Sequence, residues 1–200
     1  MKDILNISVT GHRGNRLSKR NVNEGYNINS KENKILRQMF YDTFVKLFKK
    51  YRPKTINVYT GGALGTDQIA FMAANEFKQK YGNRCNVNNI MCIPNKQYNN
   101  NWNASSISIH KQLKALADNV INVSTIQGYI TDNFNGQYDM RNRYMIDKGN
   151  DYLIALYDGS SKGGTYNAIK YAKKQDREII YLPMDYIDEV ANAQPYSFFK

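Results

Sequence analysis

Cysteine, histidine and proline are all scarce in this 200-residue chain: two, two and four residues respectively. Cys85 and Cys92 form no CxxC pattern and match no metal-ligand spacing. They are expected to be free thiols, buried or half-buried, in a reducing cytosol, and a disulfide framework is excluded. No His/Cys/Asp cluster has the spacing of a metal site, so neither a metal nor a cofactor is expected. No segment reaches the ~18 apolar residues of a membrane span. Met1-Lys2-Asp3-Ile4 runs straight into a strand with no secretory leader, so the expectation is a cytoplasmic protein with no membrane partner. Acidic residues are also few: 17 Asp and Glu stand against 28 Lys and Arg, a formal charge of +11.

That excess charge has two readings, a nucleic-acid footprint or service to small anions and solubility. Lys46, Lys49, Lys50, Arg52 and Lys54 fall at one predicted helix end, and Lys170, Lys173, Lys174 and Arg177 at another. Cations are favoured there by the helix dipole, which accounts for roughly two-thirds of the excess. Arg13, Arg16, Lys19 and Arg20 follow the first predicted strand, where a ligand would feel them. The Asn and Lys bias fits an AT-rich coding sequence of bacterial or phage type.

A 42% hydrophobic fraction suffices for one core, and one domain over residues 1–200 is expected. Its core spans 4–182 and its tail, 185–200, is peripheral. Strands are predicted at 4–9, 56–59, 87–93, 120–123, 152–157 and 179–182. The run 152–157 is the most continuously apolar, as expected for the centre of a sheet buried on both faces. Residues 12–29 read as a long polar loop. Ser30 caps a helix whose Leu36, Phe40, Phe44, Leu47 and Tyr51 recur at helical spacing, and Pro53 stops it. Further helices follow Asp67, run over about 105–117 and 137–148, and lead from Thr165 to about Lys174. The Asn-rich segment 95–103, with the sole tryptophan, Trp102, reads as an exposed loop. The alternation predicts an α/β fold: a three-layer, Rossmann-like, doubly wound, mostly parallel sheet of about six strands with helices on both faces.

Ligands in such sheets bind beyond the carboxyl ends of the strands. Three predicted strands end in glycine turns there: Gly11 after the first, Gly61-Gly62-x-x-Gly65 after the second, and Gly163-Gly164-Thr165 after the fifth. Glycine admits a phosphate close to the backbone, and the free N–H groups and dipole of a helix start attract it. GGALGTD lacks the lysine of a P-loop, and no GxGxxG follows strand one.

The combination of Thr10-Gly11-His12-Arg13, Gly61-Gly62-Ala63-Leu64-Gly65-Thr66-Asp67, Arg141-Asn142-Arg143-Tyr144-Met145, Asp151 to Leu156 and Gly163-Gly164-Thr165 resembles the SLOG superfamily, particularly its small YspA-like members. The resemblance implies a nucleotide-type ligand held by Gly11, His12, Arg13, Gly61, Gly62, Gly65, Thr66, Asp67, Arg141, Asp158, Gly163, Gly164 and Thr165. Homodimerisation is implied by the resemblance alone. "Lonely guy" phosphoribohydrolases and nucleoside deoxyribosyltransferases carry a catalytic glutamate three residues after the position of Thr165; here that residue is Ala168. DNA-processing protein A has a motif similar to Arg141-Asn142-Arg143.

Three functions follow. The leading one is binding, by which the protein senses or sequesters a phosphate-bearing nucleotide or derivative. The second is N-glycosidic hydrolysis of a nucleotide with Asp67 or Asp158 replacing the absent glutamate. The third is binding of single-stranded nucleic acid along the basic loops. His12 shows no carboxylate partner in the sequence, which weighs against catalysis. Tyr138 and Trp102 are candidates to cover a base, and His110 is expected to be structural or solvated.

Overall fold

The structure, a computed structural model, describes residues 2–18 and 26–184. Six strands form one sheet in the order β4-β3-β2-β1-β5-β6, every pairing parallel: β1 (Ile4–Gly11), β2 (Thr55–Thr60), β3 (Asn86–Ile93), β4 (Asn119–Asn122), β5 (Tyr152–Leu156) and β6 (Glu178–Leu182). Five helices alternate with them: α1 (Lys31–Tyr51), α2 (Thr66–Tyr81), α3 (Ala104–Ala115), α4 (Phe134–Lys148) and α5 (Gly164–Lys174). The Rossmann-like alternation read from the sequence is the architecture found. Lys19, Arg20 and the tail from 185 lie outside the described residues.

The alternate side chains of each strand divide the core. Leu5, Ile7 and Val9 of β1, with Ile56, Val58, Tyr152, Ile154 and Leu156, face α1 and α2. Phe77 of α2 is fully buried there among the rings of Tyr41, Phe44, Phe48 and Tyr81. Burying one such side chain contributes about 1.5–3 kcal/mol. On the opposite face Leu153 and Ala155 meet Ile146 of α4 and Ala168, Ile169 and Ala172 of α5. β5 is therefore buried at all five residues, although it is second from the edge and not at the centre of the sheet as its apolar run suggested. Helices on both faces bury it as fully as a central position would.

Asparagine serves the fold at both ends. Asn6, Asn57 and Asn88 occupy paired positions on β1, β2 and β3. The Asn57 amide donates to Asn6 and the Asn88 amide to Asn57, each at 2.8 Å, forming a ladder near the amino ends of the strands. Asn103 and Asn133 cap α3 and α4 through their side chains, as Ser30 caps α1. These caps satisfy helix N–H groups that would otherwise lack partners. The segment 95–103 departs from the exposed loop expected: Tyr98 is buried, and it meets Trp102 and His110 edge-on. His110 is itself buried, its Nε2 2.6 Å from the Tyr98 hydroxyl. Burial pushes its pKa down to about 4, helped by the charge of Lys114.

Candidate functional site

β1 lies between β2 and β5, so the chain leaves the carboxyl end of the sheet to one side after β1 and to the other after β5. A cleft opens at such a reversal of strand order. Here it is a cavity of about 230 Å³, lined by Thr10 to Arg13, Arg16, Ala63, Leu64, Asp67, Tyr138, Arg141, Asn142, Gly164 and Thr165.

Of the residues expected to hold a ligand, Gly11, His12, Arg13, Asp67, Arg141, Gly164 and Thr165 line this cavity. Gly61, Gly62, Gly65, Thr66, Asp158 and Gly163 are not among its lining residues. The glycines after β2 serve close packing. A Cβ on Gly61 would sit 1.2 Å from Arg141 Nη1 and 2.5 Å from Asp67 Oδ2, so only glycine leaves space for that ion pair. Arg141 Nη1 donates to Asp67 Oδ2 at 3.2 Å, and the Ala63 N–H donates to the same oxygen at 3.2 Å. Both side chains are nearly buried, at 7% and 11% exposure. Arg141 Nε has no hydrogen-bond partner among the described residues. Thr66 is held by His12, whose carbonyl accepts from its N–H and its hydroxyl.

The turn after β5 is built differently. Gly163 precedes α5 with φ 101° and provides no capping side chain. Among the described residues nothing lies within 4 Å of where its Cβ would be, and Gly164 meets only the Asn142 amide, at 4.0 Å. The first N–H groups of an eleven-residue helix thus open toward the cavity with no side-chain cap. Arg13 extends over the Tyr138 ring at 5.7 Å and has no carboxylate partner among the described residues. Tyr138, a candidate to cover a base, borders the cavity; Trp102 does not and packs on Tyr98 and His110.

His12 does have a carboxylate neighbour, contrary to the sequence reading. Gly11 of β1 pairs with Leu156 of β5, so the residues after the two strands meet. His12 Nε2 lies 2.9 Å from Asp158 Oδ1 and 3.2 Å from the Asp158 backbone N–H. A neutral Nε2 accepts from that N–H; a protonated one donates to the carboxylate. Burial lowers the pKa of His12 against the pull of Asp158, and the Arg16 charge lowers it further. The ring is therefore neutral at neutral pH. Arg16 closes the group, its Nη2 2.6 Å from Asp158 Oδ2. Burial would raise the Asp158 pKa, but hydrogen bonds from Ser160 and the charges of His12 and Arg16 bring it down to about 2.

Ala168, the position at which the sequence resemblance would place a hydrolase glutamate, is 2% exposed and packs with Ile146 and Leu153, away from the cavity. Arg143 pairs with Asp139 and stacks over Tyr171. Cys85 and Cys92 are both free and buried, and burial pushes the Cys92 thiol up to about 12. Among the described residues no group of three or more His, Cys, Asp or Glu is placed to hold a metal ion. No helix among them is long and apolar enough to cross a membrane.

A parallel sheet in this order, with a basic cavity at the reversal of strand order, defines a Rossmann-like α/β protein. The chain belongs to the YspA SLOG family, whose model matches residues 7–189. It is also similar to the uncharacterized SPbeta prophage-derived protein YoqJ of Bacillus subtilis (strain 168): 37% identical over 121 residues, which cover 58% of this chain and 68% of the relative.

Proposed function

We propose that the cavity binds a phosphate-bearing nucleotide or nucleotide derivative, which the protein senses or sequesters. The observation that carries this reading is the start of α5. Its N–H groups, uncapped by any side chain, border a cavity that also contains Arg13 and Arg141. A helix N-terminus attracts an anion through those groups and the dipole. Guanidinium groups add bidentate, charge-assisted bonds, and the unpartnered Arg141 Nε leaves one such donor available. Membership of the family supports the same reading.

The His12–Asp158 contact favours a second reading, hydrolysis of the N-glycosidic bond. A neutral histidine lining the cavity accepts a proton from water as the oxygen adds to the anomeric carbon; the base leaves with the electrons of the broken C–N bond and takes up the proton that the imidazolium gives back. The products are ribose 5-phosphate and free base. Asp158 then acts by stabilising the imidazolium. Asp67 is less suited, being held by Arg141 and the Ala63 N–H.

Mass spectrometry of purified protein, filtered after incubation with the four nucleoside 5′-monophosphates, separates the readings. An intact nucleotide retained without turnover is the expected result. Free base released by the wild type and lost in His12→Ala and Asp158→Asn replaces the first reading with the second. Binding of single-stranded DNA whose log affinity falls steeply with log salt favours the nucleic-acid alternative.

A further inference from the structure

A second cavity, of about 270 Å³, lies beside the first, and Leu64 lines both. Its other walls are Tyr26, Asn27, Ile28, Gln68, Asn103, Ser105, Ser106 and Ile109. Tyr26 belongs to the second cavity alone. It lies against Gly14, its hydroxyl donates to Gln68 Oε1 at 3.3 Å, and the Gly65 backbone hydrogen-bonds to that hydroxyl.

The two cavities have opposite chemistry. The first contains three arginines, a histidine and one aspartate; among the described residues no Asp, Glu, Lys, Arg or His lines the second. A phosphate placed in the second would give up water without gaining a cation, which is costly. Its lining suits an uncharged group able to both donate and accept hydrogen bonds. Asn27 Oδ1 is committed to the Asn29 N–H, and Asn103 Oδ1 to the Ser106 N–H that it caps. Gln68 is 1% exposed, its Oε1 is taken by Tyr26, and its Nε2 has no partner among the described residues. A buried donor left unpaired is costly, so an amide in this state, lining a cavity, is set to donate to an occupant. Glutamine amides pair well with the edges of nucleobases. Size agrees: each cavity alone falls below the ~300 Å³ at which small-molecule sites usually begin, and the two together fall within that range.

We propose that the second cavity is the nucleobase subsite of a two-part ligand: the phosphate end sits at α5, the chain passes over Leu64, and Gln68 Nε2 donates to the base. This rests on the phosphate reading above and adds the position and recognition of the uncharged end.

Calorimetry with ribose 5-phosphate, the four nucleosides and the four nucleoside 5′-monophosphates tests it on the wild type, Gln68→Leu and Ser106→Trp. Ser106→Trp fills the cavity from a half-buried helix position and so does not depend on the buried amide. The expected result is at least one monophosphate bound about tenfold or more tighter than ribose 5-phosphate, the equivalent of one good hydrogen bond, ~1.4 kcal/mol. Both variants should erase that advantage while leaving ribose 5-phosphate affinity unchanged. If no monophosphate exceeds ribose 5-phosphate, or neither variant changes the advantage, the base subsite is overturned and the phosphate site stands. Nucleoside binding that depends on Gln68 with no gain from the phosphate would keep the subsite and overturn the phosphate reading. No binding by any probe overturns both.

Discussion

Gly65 and Gly163 each lead into a helix, with φ of 100° and 101°, and neither provides a capping side chain. A Cβ on Gly65 would lie 2.4 Å from the Gly14 nitrogen and 2.7 Å from the Arg13 carbonyl carbon, whereas one on Gly163 meets nothing within 4 Å among the described residues. The protein itself fills the space at the first turn. Arg13 bridges to Gly65, Thr66 bonds back to His12, and Asp67 takes the Ala63 N–H and Arg141. The second turn is left open. Two glycine turns that look equivalent in sequence thus divide the labour: one positions the arginine, the other leaves helix N–H groups accessible.

Alanine at each glycine tests that division most sharply. Gly163→Ala should cost about 1–2 kcal/mol, the backbone strain alone. Gly65→Ala should cost about 3–5 kcal/mol, because overpacking against backbone adds to the same strain. Urea unfolding of the two variants checks this, and equal losses would mean the first turn is no more tightly enclosed than the second. Arg141→Met comes next. It leaves Asp67 buried without its cation and should destabilise by about 3 kcal/mol. Arg141→Met/Asp67→Asn should recover part of that loss, and full additivity would show that the pair is not coupled.

A smaller effect distinguishes the site from the aromatic group beside it. His12 and His110 both titrate below the ordinary histidine value in the fold. The unfolded chain then binds more protons, so their contribution is complete above about pH 6.5 and falls as the pH drops. For His110 the window runs down to about 4, and the loss is at most ~3 kcal/mol. Asp158 acts in the same direction lower down, its share lost as the pH falls from about 3.8 through about 2. His110→Gln should flatten the upper part of a stability–pH curve. An unchanged slope would assign it to another group.

The strands and helices were legible because their signals are local: continuous apolar runs, a Ser30 cap, and Leu36, Phe40 and Phe44 at helical spacing. Strand order is not local, and what depended on it was missed. β5 is placed next to β1, not at the sheet's centre, and that neighbour relation brings Asp158 to His12 across 146 positions. The Arg141–Asp67 pair spans 74 positions and needs α4 to pack against β1, β2 and β3. Tyr98 and Trp102 looked solvated among asparagines, yet His110 and Leu113 of α3 give them an apolar cover. The polar neighbours of an aromatic residue in sequence say little about what packs on it.

The open start of α5 as an anion site is the central claim, and Gly164→Asp tests it most directly. A side chain there meets no steric obstacle, and an acid in the first turn suits the helix dipole, so thermal stability should hold or rise slightly. The same carboxylate occupies the position proposed for phosphate. Calorimetry should show affinity for ribose 5-phosphate and for the nucleoside monophosphates falling at least about 100-fold, or ~2.7 kcal/mol, in a variant whose melting temperature is unchanged. Affinity retained by that folded variant would contradict the account.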